Sequence, residues 1–144
     1  MDPVVATLLG TVVGAVGTIL SQHVAGRATE RSERRVRLAE RRTELRTAIE
    51  GFLEVYQEME RAVSDDHKRS SELSHRMWFM HNRLALIAST DLLGPLGSLA
   101  DALNRTYWHG TPDGQQAGEY LHEANRQFRR AAHIELNALE LPSG

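Results

Sequence analysis

The sequence contains no cysteine, so disulfides, thiol catalysis and thiolate metal sites are all excluded. It contains a single lysine, Lys68, against sixteen arginines, a bias that points to a GC-rich genome by composition alone. Eight aromatic residues are spread thinly, and no stretch alternates apolar and polar residues as a half-buried strand would. Without strands there is no strand-to-helix turn to carry a glycine-rich phosphate loop. There is also no repeat and no low-complexity segment. The most informative absence is charge. Between Asp2 and Arg27 lie twenty-four residues, Pro3 to Gly26, with no formally charged side chain.

The apolar core of that stretch is Val4 to Leu20. As a helix it rises roughly 26 Å, close to the ~30 Å hydrocarbon layer of a bilayer. It has no polar face at the helical period, which argues against a core helix of a water-soluble domain. A cleaved signal peptide fits poorly. The flank Met1-Asp2-Pro3 has no positive side chain, and His23-Val24-Ala25 makes a poor cleavage site. The expectation is a transmembrane anchor over residues 1–26. Within it Ala6, Gly10, Gly14 and Thr18 recur every four residues, which places small side chains on one stripe where another helix can approach closely.

Immediately after it, residues 27–46 carry eight Arg against four Glu, while residues 47–144 are acidic on balance. Positive charge gathered beside an apolar span is a membrane-flank pattern. Interleaved Glu would repel nucleic-acid phosphates, so no nucleic-acid partner is expected. Arg27, Arg31, Arg34, Arg35 and Arg37 are the expected membrane-surface residues. By the positive-inside rule they place the N-terminus outside and the remainder of the chain in the cytoplasm, as a single-pass protein of the cell membrane.

From Arg27 to about Val63 the chain reads as one long helix without proline. Leu38, Leu45, Phe52 and Met59 fall at sevens, interleaved with Arg42, Ile49, Tyr56 and Val63, the spacing of a coiled coil or bundle. Ser64-Asp65-Asp66-His67 is turn chemistry. A second helix to about Ser89 follows on Leu73, Met77, Met80, Leu84 and Ile87, its apolar surface widened by Trp78, Phe79 and Leu86. Leu92, Leu96, Leu99, Leu103 and Tyr107 define a third, with Gly94-Pro95 in its first turn. His109 to Gly114 is the strongest break in the chain. A fourth helix, from about Gln115 to Leu139, rests on Leu121 and Phe128 with several alanines. The expected fold is all-α. A single N-terminal transmembrane helix (1–26) continues into a long juxtamembrane helix (27–64), which packs with the helices of 65–144 in a four-helix bundle.

Two Glu-x-x-His pairs, Glu72/His75 and Glu119/His122, invite comparison with carboxylate-bundle metal sites, which use that pair twice. Their phase argues against it, because His75 and Glu119 point away from the apolar stripes of their helices. No metal, cofactor or catalytic residue is therefore expected, and the chain reads as a non-enzyme. Its partners are the lipid bilayer, a second copy of itself and a protein of unspecified identity. A small pore-forming or membrane-perturbing protein is the alternative, and a metal-binding bundle a weaker one.

Leu8-Leu9-Gly10-Thr11-Val12-Val13-Gly14-Ala15-Val16-Gly17, taken with Glu33-Arg34-Arg35-Val36-Arg37-Leu38-Ala39-Glu40-Arg41-Arg42, resembles a group of small actinobacterial membrane proteins. These have a Gly-rich N-terminal hydrophobic helix, an Arg/Glu-rich helix and a short helical bundle. The likeness covers residues 1 to about 60. It implies membrane attachment and carries no catalytic motif.

Overall fold

In the computed structural model residues 3–65 and 68–140 are described, with side chains from residue 29 onward. Among the described residues the fold is all-helical. The helices are α1 (Pro3–Ser64), α2 (Ser71–Ala85), α3 (Thr90–His109) and α4 (Ala117–Ala138), with a 3-10 turn at Pro112–Gly114. Contacts divide the chain into two units, Met1–Leu38 and Ala39–Gly144, the boundary falling within α1. The second unit is the helical bundle.

Three short connections make successive helices antiparallel. Arg76 of α2 donates to Glu58 of α1 from both terminal nitrogens, at 2.8 and 3.2 Å. About two turns before Glu58, a Cβ on Gly51 would stand 3.4 Å from the Met80 sulfur, so α1 and α2 pack closely there. Ser74 of α2 donates to Asn104 Oδ1 of α3 at 3.1 Å. Glu135, near the end of α4, reaches Ser89 at the start of α3.

One core joins all four helices. Leu45, Ala48, Ile49, Phe52, Val55, Tyr56 and Met59 of α1 are buried against Met77 and Leu84, against Leu92, Leu96, Leu99 and Leu103, and against Leu121 and Phe128. Each of the larger apolar side chains removed from water contributes about 1.5–3 kcal/mol before the entropy of ordering it. The heptad face of α1 is thus consumed by the chain's own bundle. It is not left open as a seam for another chain. Leu73 and Met80 are partly buried and pack against the core. Leu38 is half-buried and stands apart from it. The register explains why. Stepping back by sevens from Ala48 gives Arg41 and Arg34, and from Ile49 gives Arg42 and Arg35. Upstream of Leu45 the core-facing stripe of α1 is occupied mainly by arginine, so there is little for other helices to bury.

Phe79 and Leu86 correct the sequence reading of α2. They are 63% and 86% exposed. Both lie about 180° around the helix from Met77 and Leu84, on the face turned from the core.

The helix ends are set by side chains from elsewhere in the chain. At the end of α1, Arg69 donates to the Ala62 carbonyl at 2.8 Å, a cation on the last orphan acceptors. The N-cap of α2 is Ser70, whose hydroxyl accepts from Glu72 N at 3.2 Å, a few residues beyond the expected cap at 64–67. Neither α3 nor α4 makes a side-chain cap of its own. For α3, Glu135 accepts from both Ser89 N and Ser89 Oγ at 2.8 Å, which brings a carboxylate to the positive end of the helix. Pro95 is the sixth residue of α3, not in its first turn, and it denies the Asp91 carbonyl an intrahelical donor. The break before α4 takes positive φ at Gly110 (79°) and Gly114 (71°), as glycine allows without penalty, and at Asp113 (56°).

Candidate functional site

The residues singled out by sequence fall into three groups. Ala6, Gly10, Gly14 and Thr18 lie outside the described side chains, as does Arg27. Among the residues described with their side chains no helix is long and apolar enough to cross a membrane, and the expected anchor at 1–26 lies outside them. Arg31, Arg34, Arg35 and Arg37 are exposed. Arg37 donates to Glu33 at 3.1 Å, an i,i+4 pair with both side chains largely in water. Such a pair adds at most a few tenths of a kcal/mol. Arg41 is exposed as well, while Arg42 is half-buried and pairs with Glu140, just beyond the end of α4. Glu72, His75, Glu119 and His122 are all exposed. Among the described residues no group of three His, Asp or Glu converges to hold a metal.

The structure adds a polar joint that the sequence did not announce. An open cleft of about 570 Å³ lies where α1 ends and α4 begins, lined among others by Glu60, Ser64, Arg69, Thr111, Gln115 and Gly118. Its charges serve the fold. A Cβ on Gly118 would come within 2.5 Å of Glu60 Oε1, so glycine there lets the Glu60 carboxylate lie against the first turn of α4. Glu60 thus adds from α1 a negative charge to a first turn of α4 that already carries Glu119, as Glu135 does for α3 beside Asp91. Arg69 stacks over the Tyr107 ring, 5.5 Å to the centroid, while it caps α1. The Tyr107 hydroxyl accepts from Ser70 N at 2.7 Å and donates to Ser70 O at 3.2 Å. Tyr107 was legible as an apolar position of the third helix, but its hydroxyl partner on a connection 37 residues earlier was not.

Tyr56, one turn before Glu60 on α1, is 2% exposed. Burial pushes its hydroxyl well above the ordinary phenol range. The Glu60 charge and hydrogen bond push the same way, while Arg129 and Asn125 oppose them. The folded state therefore holds this proton more tightly than the unfolded chain. The associated stability is complete below the unfolded value of about 10 and is lost as pH rises from there toward the folded value. Melting temperatures measured between about pH 9 and 11 should fall, and Tyr56→Phe should flatten that fall. Parallel alkaline limbs in the two proteins would show that Tyr56 is not the group responsible.

Among the described residues lining the cleft, the Ser64 hydroxyl donates to the Glu60 carbonyl and the Thr111 hydroxyl to the Gln115 carbonyl, so both serve the backbone. Among the described residues the exposed surface includes the arginine segment of α1 and the outward apolar side chains Phe79 and Leu86, with Trp108 and Ile134 also exposed. Comparison of the chain with protein-family models, with curated proteins and with solved structures found no match.

Proposed function

We propose that this protein is a non-enzymatic, membrane-anchored helical module that self-associates and presents its bundle to a protein partner. The observation that carries the reading is the juxtaposition of an uncharged run, Pro3 to Gly26, with eight arginines in residues 27–46. Residues 1–26 are the anchor, a single-pass transmembrane helix. Its small-residue stripe, Ala6, Gly10, Gly14 and Thr18, is a packing face between copies in lipid. Arg27, Arg31, Arg34, Arg35 and Arg37 stand at the cytoplasmic membrane surface. The exposure of Arg31, Arg34, Arg35 and Arg37 supports this, because an arginine committed to a core could not reach headgroups.

In the bundle Arg69 and Glu135 are engaged at helix ends and Tyr107 at a connection, an arrangement that suits a docking body.

A topology reporter fused to Gly144 tests the proposal. A reporter active only in the cytoplasm should be active, and one active only across the membrane should be silent. Moving the arginines of 27–37 to the N-terminal side of the apolar run should invert both. Activity confined to the external reporter in the native chain would contradict the orientation.

A further inference from the structure

Along α1 the side chains of 29–37 are exposed, and they carry a repeated step: Glu30-Arg31, then Glu33-Arg34. The same dipeptide recurs in the sequence at Glu40-Arg41. Neighbouring residues of an α-helix differ by about 100° in direction and only ~1.5 Å in height. Each step therefore shows an acid and a base at one level on two sides of the helix. Arg31, Arg34 and Arg35 share an arc of about 100°, and Glu30 and Glu33 occupy the adjoining side. Among the described residues, none pairs with Arg31, Arg34 or Arg35, whereas Glu33 holds Arg37 through one carboxylate oxygen.

The core-forming heptads of α1 cannot serve a second chain, because Leu45, Ile49, Phe52, Tyr56 and Met59 are buried in their own bundle. The exposed charge ladder can. We propose that residues 30–34 form a parallel, in-register contact with a second copy of this chain, in which Arg31 and Arg34 of one copy meet Glu30 and Glu33 of the next. This rests on the membrane-anchored reading given above. Anchoring sets every copy parallel and at one height, and confinement to a plane raises the effective concentration. Under those conditions exposed pairs that are weak singly act together. At the membrane surface Arg27, Arg35 and Arg37 are left to the headgroups, while charge complementarity selects a second copy as the partner of Arg31 and Arg34. Headgroup anions attract the arginines but are repelled by the glutamate that precedes each step, whereas a parallel copy satisfies both signs.

The full chain in vesicles of phosphatidylcholine, with association followed by energy transfer between labelled copies, tests this. Glu30→Arg with Glu33→Arg makes the segment wholly basic, and Arg31→Glu with Arg34→Glu makes it wholly acidic. Each variant alone should associate about tenfold more weakly than the native chain, and an equimolar mixture of the two should recover native association. Raising salt to about 1 M should weaken the native association in the same direction. A second readout uses the absence of native cysteine. Glu30→Cys in one copy should cross-link to Arg31→Cys in another more efficiently than Arg31→Cys to itself.

Native-like association of either variant alone, or failure of the mixture to recover, overturns the pairing. So does association that needs phosphatidylserine and is strengthened by the basic variant, which would assign the segment to headgroups. Co-sedimentation with the vesicles is scored separately. A chain that sediments yet ignores charge reversal overturns the pairing alone; a chain that stays in the supernatant overturns the anchoring and this inference with it.

Discussion

Phe128→Ala should lower the melting temperature of the bundle by roughly 15 °C or more, the largest single-residue effect expected in this chain. The Phe128 ring is fully buried and meets Phe52 edge to face, with centroids 5.4 Å apart at 61°. That pair ties α4 to α1, the two helices farthest apart in sequence. Truncation removes the transfer free energy of the ring, its aromatic contact, and the packing around the hole it leaves. Together these cost about 3–5 kcal/mol. A domain of this size has about 5–15 kcal/mol in total, so the variant should stand near the edge of folding at body temperature. Phe79→Ala is the matched control. Phe79 is 63% exposed, and its loss should change stability by no more than about 0.5 kcal/mol. Thermal unfolding followed by circular dichroism compares the two. Equal effects from Phe79 and Phe128 would mean that the core is misassigned.

That contrast also shows how far the sequence can be read. The α1 stripe was legible because Leu45, Ile49, Phe52, Tyr56 and Met59 alternate three and four apart over more than four turns, and few polar arrangements imitate that. Ala48 and Val55 complete the same stripe but are too small to mark it on their own. Phe79 and Leu86 read as apolar surface of α2 by composition, whereas their phase turns them outward. A short helix of 15 residues meets its neighbours along one narrow face, so phase decides.

Other features had no local signal at all. Glu135 and Glu60 act at the starts of α3 and α4, helices they reach only through the tertiary fold. Gly118 looks like an ordinary glycine at a helix start until Glu60 is seen beside it. Arg69 and Tyr107 are likewise joined only by the way the connection to α2 folds back. Of the candidate site, the exposure of Arg31, Arg34, Arg35 and Arg37 was expected from the scarcity of apolar residues around them. That α1 packs in a bundle with the helices of 65–144 was legible from the apolar faces of all four, although its heptad spacing alone would serve a coiled coil equally well.

The second large effect expected is on membrane partition, and it bears on the central claim. Twenty-four residues without charge, with an apolar core near the thickness of a bilayer, should hold the chain in membranes essentially irreversibly. Arginines alone attract anionic lipid by about 1 kcal/mol each near the surface, an attraction that salt screens within a Debye length. A chain beginning at Arg31 keeps most of those arginines and the whole of the bundle, with its core intact. Alkaline carbonate extraction of membranes from cells making either form therefore separates insertion from surface attraction. The full chain should remain in the pellet after extraction. The chain beginning at Arg31 should appear in the supernatant, helical by circular dichroism. A full chain released by carbonate, or a shortened chain that stays in the pellet, would contradict the account.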